Sequence, residues 1–269
     1  MFARFFRPEI PVDSVGKVWV EGRLRWLMDE FGEEPFLARA PAMPTTVDFP
    51  ELRGGSTLQA LYERVCERIG IEPARVPLRV EQEKPSLGLV NGSGHEMGGA
   101  AAHYMFDEDG EHIVMQSSEL ADPISLIGTL AHELSHARLL GGGRVSGETL
   151  DDELLTDLCA TYHGFGLFLA NAPRDWLSGC GTWPGTKLVR PGYMTVNLYA
   201  WALAHRALLA DERDPTWLAG LQAEPRRLVR DGIRWLSAHE NSAHITNDWT
   251  AWLALERLLD PAQAELRPS

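Results

Sequence analysis

The sequence predicts an α+β fold, mixed in its N-terminal half and mainly helical in its C-terminal half. Three observations carry this. Short apolar-rich runs at residues 101–106 and 112–116 flank Asp107-Glu-Asp-Gly110, the pattern of a β-hairpin. From Asp122 onward, apolar residues recur at helical spacing in several long segments. The composition of the 269-residue chain, 44% hydrophobic and 23% charged, excludes collagen-like, coiled-coil and disordered states and supplies enough apolar chain for a core. One domain over residues 1–269 is expected, with no internal repeat.

Taken in order, residues 17–31 place Val18, Trp19, Leu24, Leu27, Met28 and Phe31 on an amphipathic helix that ends at Gly32. Proline-rich residues 35–54 read as irregular, with a short extended piece at 45–49. Ser56 is positioned to cap a helix through Ile69, which Gly70 ends. Residues 76–80 read as a strand, and Pro77 makes it short or places it at an edge. After the hairpin, Pro123 sits in the first turn of a helix running to Leu140, where three glycines stop it. A second helix is expected from Thr149 to Ala170, its first turn enriched by Asp151, Asp152 and Glu153. Residues 173–191 read as a long loop, followed by helices at 193–211, 224–238 and 247–259. The parts are thus a mixed segment 1–98, a core 99–172 and a helical segment 173–269.

Charge narrows the partners. With 25 Lys and Arg against 38 Asp and Glu, the formal charge is −13, which disfavours nucleic acid and anionic membrane surfaces. The start of the chain has no apolar signal region, and no run of apolar residues is long enough to span a bilayer. Three cysteines, Cys66, Cys159 and Cys180, form no CxxC pair, which points to a reducing compartment. The expectation is a cytoplasmic protein with Cys66 and Cys159 as buried thiols.

Within the first long helix stands His132-Glu133-Leu-Ser-His136. At about 100° per residue the two histidines lie about 400° apart, so both imidazoles project from one face. Such a pair can bind one metal ion, and zinc suits neutral imidazole nitrogens. Glu133, offset by about 100°, stands beside the metal, where a carboxylate can take a proton from water and deliver it to a leaving amine. The flanking Leu130, Ala131, Leu134 and Ala137 point to burial, where two unpaired histidines are costly. His239 and His244 are spaced i, i+5, about 140° off one face, and read as structural or surface residues. His163, about 80° off the face of Glu153, reads as structural too.

A catalytic zinc takes three protein ligands and leaves a position open. On the second helix, Glu153 and Asp157 share a face at i, i+4, beside an apolar stripe of Leu150, Leu154, Leu155, Leu158 and Tyr162. One carboxylate can ligate the metal while the other orients a ligand histidine through its second nitrogen.

The two motifs together resemble the zincin metallopeptidases of the gluzincin type, which pair an H-E-x-x-H helix with a downstream E-x-x-x-D helix. The resemblance covers roughly residues 99–170. It implies a zincin-like metallopeptidase core, with Glu153 as third zinc ligand and Asp157 orienting a zinc-binding histidine. It also implies that the hairpin belongs to the zincin sheet, whose edge strand pairs with an extended peptide or protein substrate. Only 16 residues separate His136 from Glu153, fewer than is usual in gluzincins. Asp157 would lengthen the gap to 20, and Glu148 is the remaining ligand candidate. Arg138 departs from the family's apolar helix and brings that turn toward solvent. The absent H-x-x-G-x-x-H extension argues against a metzincin.

The expected chemistry is peptide hydrolysis with Glu133 as base and then acid. A further donor to the tetrahedral oxyanion is expected from the C-terminal part, with Tyr193 preferred over Tyr199, His205 and Arg206. Two other readings of the same residues are a zinc-binding scaffold that does not cleave, and a zinc hydrolase acting on a non-peptide amide or ester. The glycine-rich residues 91–99 lack a P-loop lysine and read as a surface loop; the nine tryptophans read as core.

Overall fold

The computed structural model of the chain describes residues 10–54, 57–82, 102–108, 110–146, 152–171 and 194–239. The chain forms two compact units. One comprises Met1–Ala42, Thr161–Asn171 and Met194–Ser269; the other comprises Met43–Ala160 and Ala172–Tyr193. Together they are α+β and mostly helical. Among the described residues no helix is long and apolar enough to cross a membrane.

In the second unit, α3 (Leu58–Ile69) buries Leu61, Tyr62, Val65, Cys66 and Ile69, a stripe at helical spacing. Its cap is Thr57 rather than the expected Ser56, which lies outside the described residues; the Thr57 hydroxyl accepts the amide of Ala60 at 3.2 Å. Residues 45–49 are a turn rather than an extended piece. Asp48 accepts the amide of Met43 at 2.7 Å and folds the segment back, ahead of a 3₁₀ turn at Pro50–Arg53.

Three strands follow: β1 (Leu78–Glu81), β2 (Ala102–Asp107) and β3 (Gly110–Gln116). Their order is β1-β3-β2, with β2 and β3 as the expected antiparallel hairpin and β1 parallel to β3. Pro77 precedes β1, which is short and lies at one edge. Then α4 (Pro123–Leu139) begins on Asp122, whose carboxylate accepts the amides of Ile124 and Ser125. From Leu126 to Ala137 every residue of α4 is buried, so it is an interior helix rather than an amphipathic surface one. It packs on α3, on β2 and on α5 (Asp152–Ala160). Arg138, expected near solvent, is half-buried.

In the first unit, α1 (Ser14–Phe31), capped by Asp13, packs on α7 (Val196–Leu209), and α7 on α8 (Ala223–Ala238). A short helix, α2 (Glu34–Leu37), interrupts the segment read as irregular; Pro35 in its first turn suits that start. The expected helix to Ala170 is broken. After α5 the chain makes a π-turn at Thr161–Phe165 and resumes as α6 (Gly166–Asn171). Gly164 takes φ +95°, open to glycine, and its carbonyl accepts the amide of Ala42 at 2.8 Å. The expected start at Thr149, the loop 91–99, the loop 173–191 and the helix 247–259 lie outside the described residues.

Candidate metal centre

His132 and His136 sit one helical turn apart on α4, with ring centroids 4.9 Å apart and planes at 83°. Across from them, α5 presents Glu153. Its Oε2 lies 3.1 Å from His132 Nε2 and 3.6 Å from His136 Nε2. One ligand atom from each of the three residues falls within 4.8 Å of the others, a spacing a single cation can bridge.

The outer nitrogens are held from behind. His132 Nδ1 meets Asp157 Oδ1 at 2.9 Å, and His136 Nδ1 meets the Thr156 hydroxyl at 3.2 Å. Asp157 and Thr156 are both buried, so these contacts fix each ring's rotation, and on His132 the Asp157 carboxylate accepts the Nδ1 proton. Nε2 of both rings faces Glu153, the side on which a bound cation would take the place of any proton there. Of the alternatives left open in the sequence, Glu153 converges with the two histidines, while Asp157 stands behind one of them.

Burial works against a charged His132, yet Asp157 and Glu153 outweigh it and hold that imidazole well above its ordinary value. Burial also opposes charge on Glu153, and His132 and His136 outweigh it, holding the carboxyl well below the usual range. Three carboxylates, Glu133, Glu153 and Asp157, thus surround two imidazoles, a field that favours positive charge between them. The donor set therefore fits a divalent cation: two imidazole nitrogens and one carboxylate oxygen converge, with compensating charge in place. Glu153 is 42% exposed, which leaves this side of the cluster open to solvent.

Glu133 points elsewhere. Its Oε2 accepts the backbone amide of Tyr104, in β2, at 2.6 Å. The ring of Tyr104 lies nearly parallel to His136, at 6.4 Å and 15°.

Of the expected oxyanion donors, Tyr193 lies outside the described residues, as do Glu148, Cys180 and His244. Tyr199, His205 and Arg206 belong to the other unit and are buried there. His205 Nε2 meets Glu21 at 3.1 Å, and Arg206 pairs with Glu212. His163 is buried on the π-turn, edge-on to Phe31 and Tyr162. His239 stacks on Trp235. Cys66 and Cys159 are buried free thiols, as expected.

Two contributors escaped the sequence reading. Thr156 carried a signal, because a second ligand histidine needs its own orienting partner and Thr156 precedes Asp157 on the same helix. Tyr104 carried none. No family model, no curated protein and no solved structure matches the chain.

Proposed function

We propose that the chain is a zinc-dependent metallopeptidase with a zincin-like core of the gluzincin type, cleaving a peptide or protein substrate in the cytoplasm. The observation that carries this is the convergence of His132, His136 and Glu153 beside a fourth group, Glu133, that stands outside the trio. Two imidazoles and one carboxylate with an open position are the donor set of hydrolytic zinc sites. Zinc supplies Lewis acidity there, bringing the pKa of a water to about 7 and polarising a carbonyl.

The rest falls to the chain's own residues. Glu133 takes a proton from the attacking water and passes it to the departing amine. Asp157 and Thr156 keep the two ligand rings from rotating. Strand β2, at an edge of the sheet, offers backbone groups to an extended peptide. Tyr193 is the proposed donor to the oxyanion. The buried thiols Cys66 and Cys159, both unpaired, suit a reducing compartment.

Metal analysis of the purified protein combined with cleavage of an unbiased peptide library tests the proposal. Stoichiometric zinc and cleavage are expected. Glu133→Gln should keep the zinc and lower kcat by about 10²–10⁴-fold. A protein that neither carries nor is activated by a transition metal is not of this kind. Zinc without cleavage of any peptide points instead to a zinc-binding scaffold or to a hydrolase of another amide or ester.

A further inference from the structure

We infer that Tyr104 is the positioning residue of Glu133: its backbone amide, on the open edge of β2, holds one carboxylate oxygen and so sets where the other points. This rests on the peptidase reading for its catalytic meaning, but not for its geometry.

The direction of that amide follows from the sheet. In β3 the amide of Ile113 is spent on Pro77 O at 3.0 Å, so residue 113 faces β1. Its partner across the hairpin is Tyr104. Opposite a residue that faces away, Tyr104 belongs to a non-hydrogen-bonded pair, and its N–H points off the edge of the sheet. An edge amide ordinarily goes to water. Here Glu133 Oε2 takes it at 2.6 Å, short as a charge-assisted bond should be. Among the described residues this is the hydrogen bond that Glu133 makes, so it fixes a flexible side chain at a single point and leaves Oε1 free for a proton.

Tyr104 is itself held in place. Its ring lies beside His136, and its hydroxyl is buried at the end of α4. Gly141 makes the room. A Cβ at that position would fall 2.6 Å from the hydroxyl, 2.8 Å from Ala137 O and 2.8 Å from Glu111 Oε1. The base is therefore indexed to the strand that the substrate is proposed to pair with. Substrate backbone and proton acceptor share one reference, which is what near-attack geometry requires. With its N–H engaged by Glu133, residue 104 has only its carbonyl left for a pairing peptide.

Two measurements on the full-length, zinc-loaded protein test this, and they separate its failure from that of the peptidase reading. Amide exchange needs no turnover. The Tyr104 amide should be protected in the wild type and exchange about 10–100-fold faster in Glu133→Ala, with the Ile113 amide unchanged. Equal exchange in the two proteins overturns the inference, whatever the chain cleaves. In the kinetic arm, an α-hydroxy analogue of tyrosine at residue 104 replaces the N–H by an ester oxygen. It should lower kcat about tenfold or more with KM and zinc content retained, since a charge-assisted hydrogen bond is lost. An ester variant with wild-type kcat also overturns the inference. If no peptide is cleaved, the peptidase reading fails and the exchange result alone decides.

Discussion

Each unit of the molecule contains a buried histidine–carboxylate contact, and the two differ in what surrounds them. His205 Nε2 meets Glu21 Oε1 at 3.1 Å, and the second oxygen of Glu21 takes Lys17 at 2.7 Å. There one carboxylate, one cation and one imidazole meet, and Nδ1 of His205 is buried with no hydrogen-bond partner among the described residues. His132 instead meets carboxylates through both ring nitrogens, and a second imidazole shares one of them. The lesson is that burial and a carboxylate partner do not make a cation site. What sets His132 and His136 apart is that both Nε2 atoms converge on Glu153 while both Nδ1 atoms are held from behind, an arrangement that could hold a cation.

The sharpest way to break this comparison is to remove each histidine. His132→Ala should abolish stoichiometric zinc, whereas His205→Ala should keep it and lose only stability; zinc analysis of both proteins decides. Zinc loss in His205→Ala would sink the distinction.

Chelation comes next. Zinc at a free concentration of 100 Kd adds about 2.7 kcal/mol of stability, so a chelator should lower the melting temperature of the wild type and leave that of His132→Ala where it was. Equal sensitivity in both proteins would mean that the zinc sits elsewhere.

Smaller effects should follow from the groups behind the rings. Asp157→Asn is expected to weaken zinc binding about 10–100-fold in a competition titration. Thr156→Val should weaken it less, because a neutral hydrogen bond is about half as strong as a charge-assisted one. The reverse order would contradict the arrangement.

The smallest effect belongs to Glu21, between His205 and Lys17. Burial alone would raise the Glu21 carboxyl, but His205 and Lys17 hold it below its ordinary value of 4.5. A lowered carboxyl contributes stability above about pH 4.5 that is lost as the pH falls through its folded value. Glu21→Gln should thus cost about 1–2 kcal/mol in urea unfolding at neutral pH and progressively less on acidification, with zinc content unchanged. A penalty that persists undiminished in acid would show that shape, not charge, matters there.

What the sequence by itself determined is local. Asp122, Pro123 and the following apolar spacing specify α4, and helix geometry alone puts His132 and His136 on one face. The same rule pairs Glu153 with Asp157. The hairpin was legible because Asp107 and Gly110 lie at its ends in β2 and β3. Misreadings arose where a neighbour outvoted the pattern: Asp48 turned a stretch that looked extended, and Gly164 opened a π-turn in a helix that looked continuous.

What only the tertiary structure decided is which distant groups meet. It set Glu153 in front of the two histidines and Asp157 behind one of them, a choice that spacing along α5 left open. It brought the Tyr104 amide to Glu133 across 29 residues and Glu21 to His205 across 184. Helix periodicity follows from bonds between near neighbours and is written in the chain. Contacts such as these depend on how whole elements pack, and residue spacing carries no record of that.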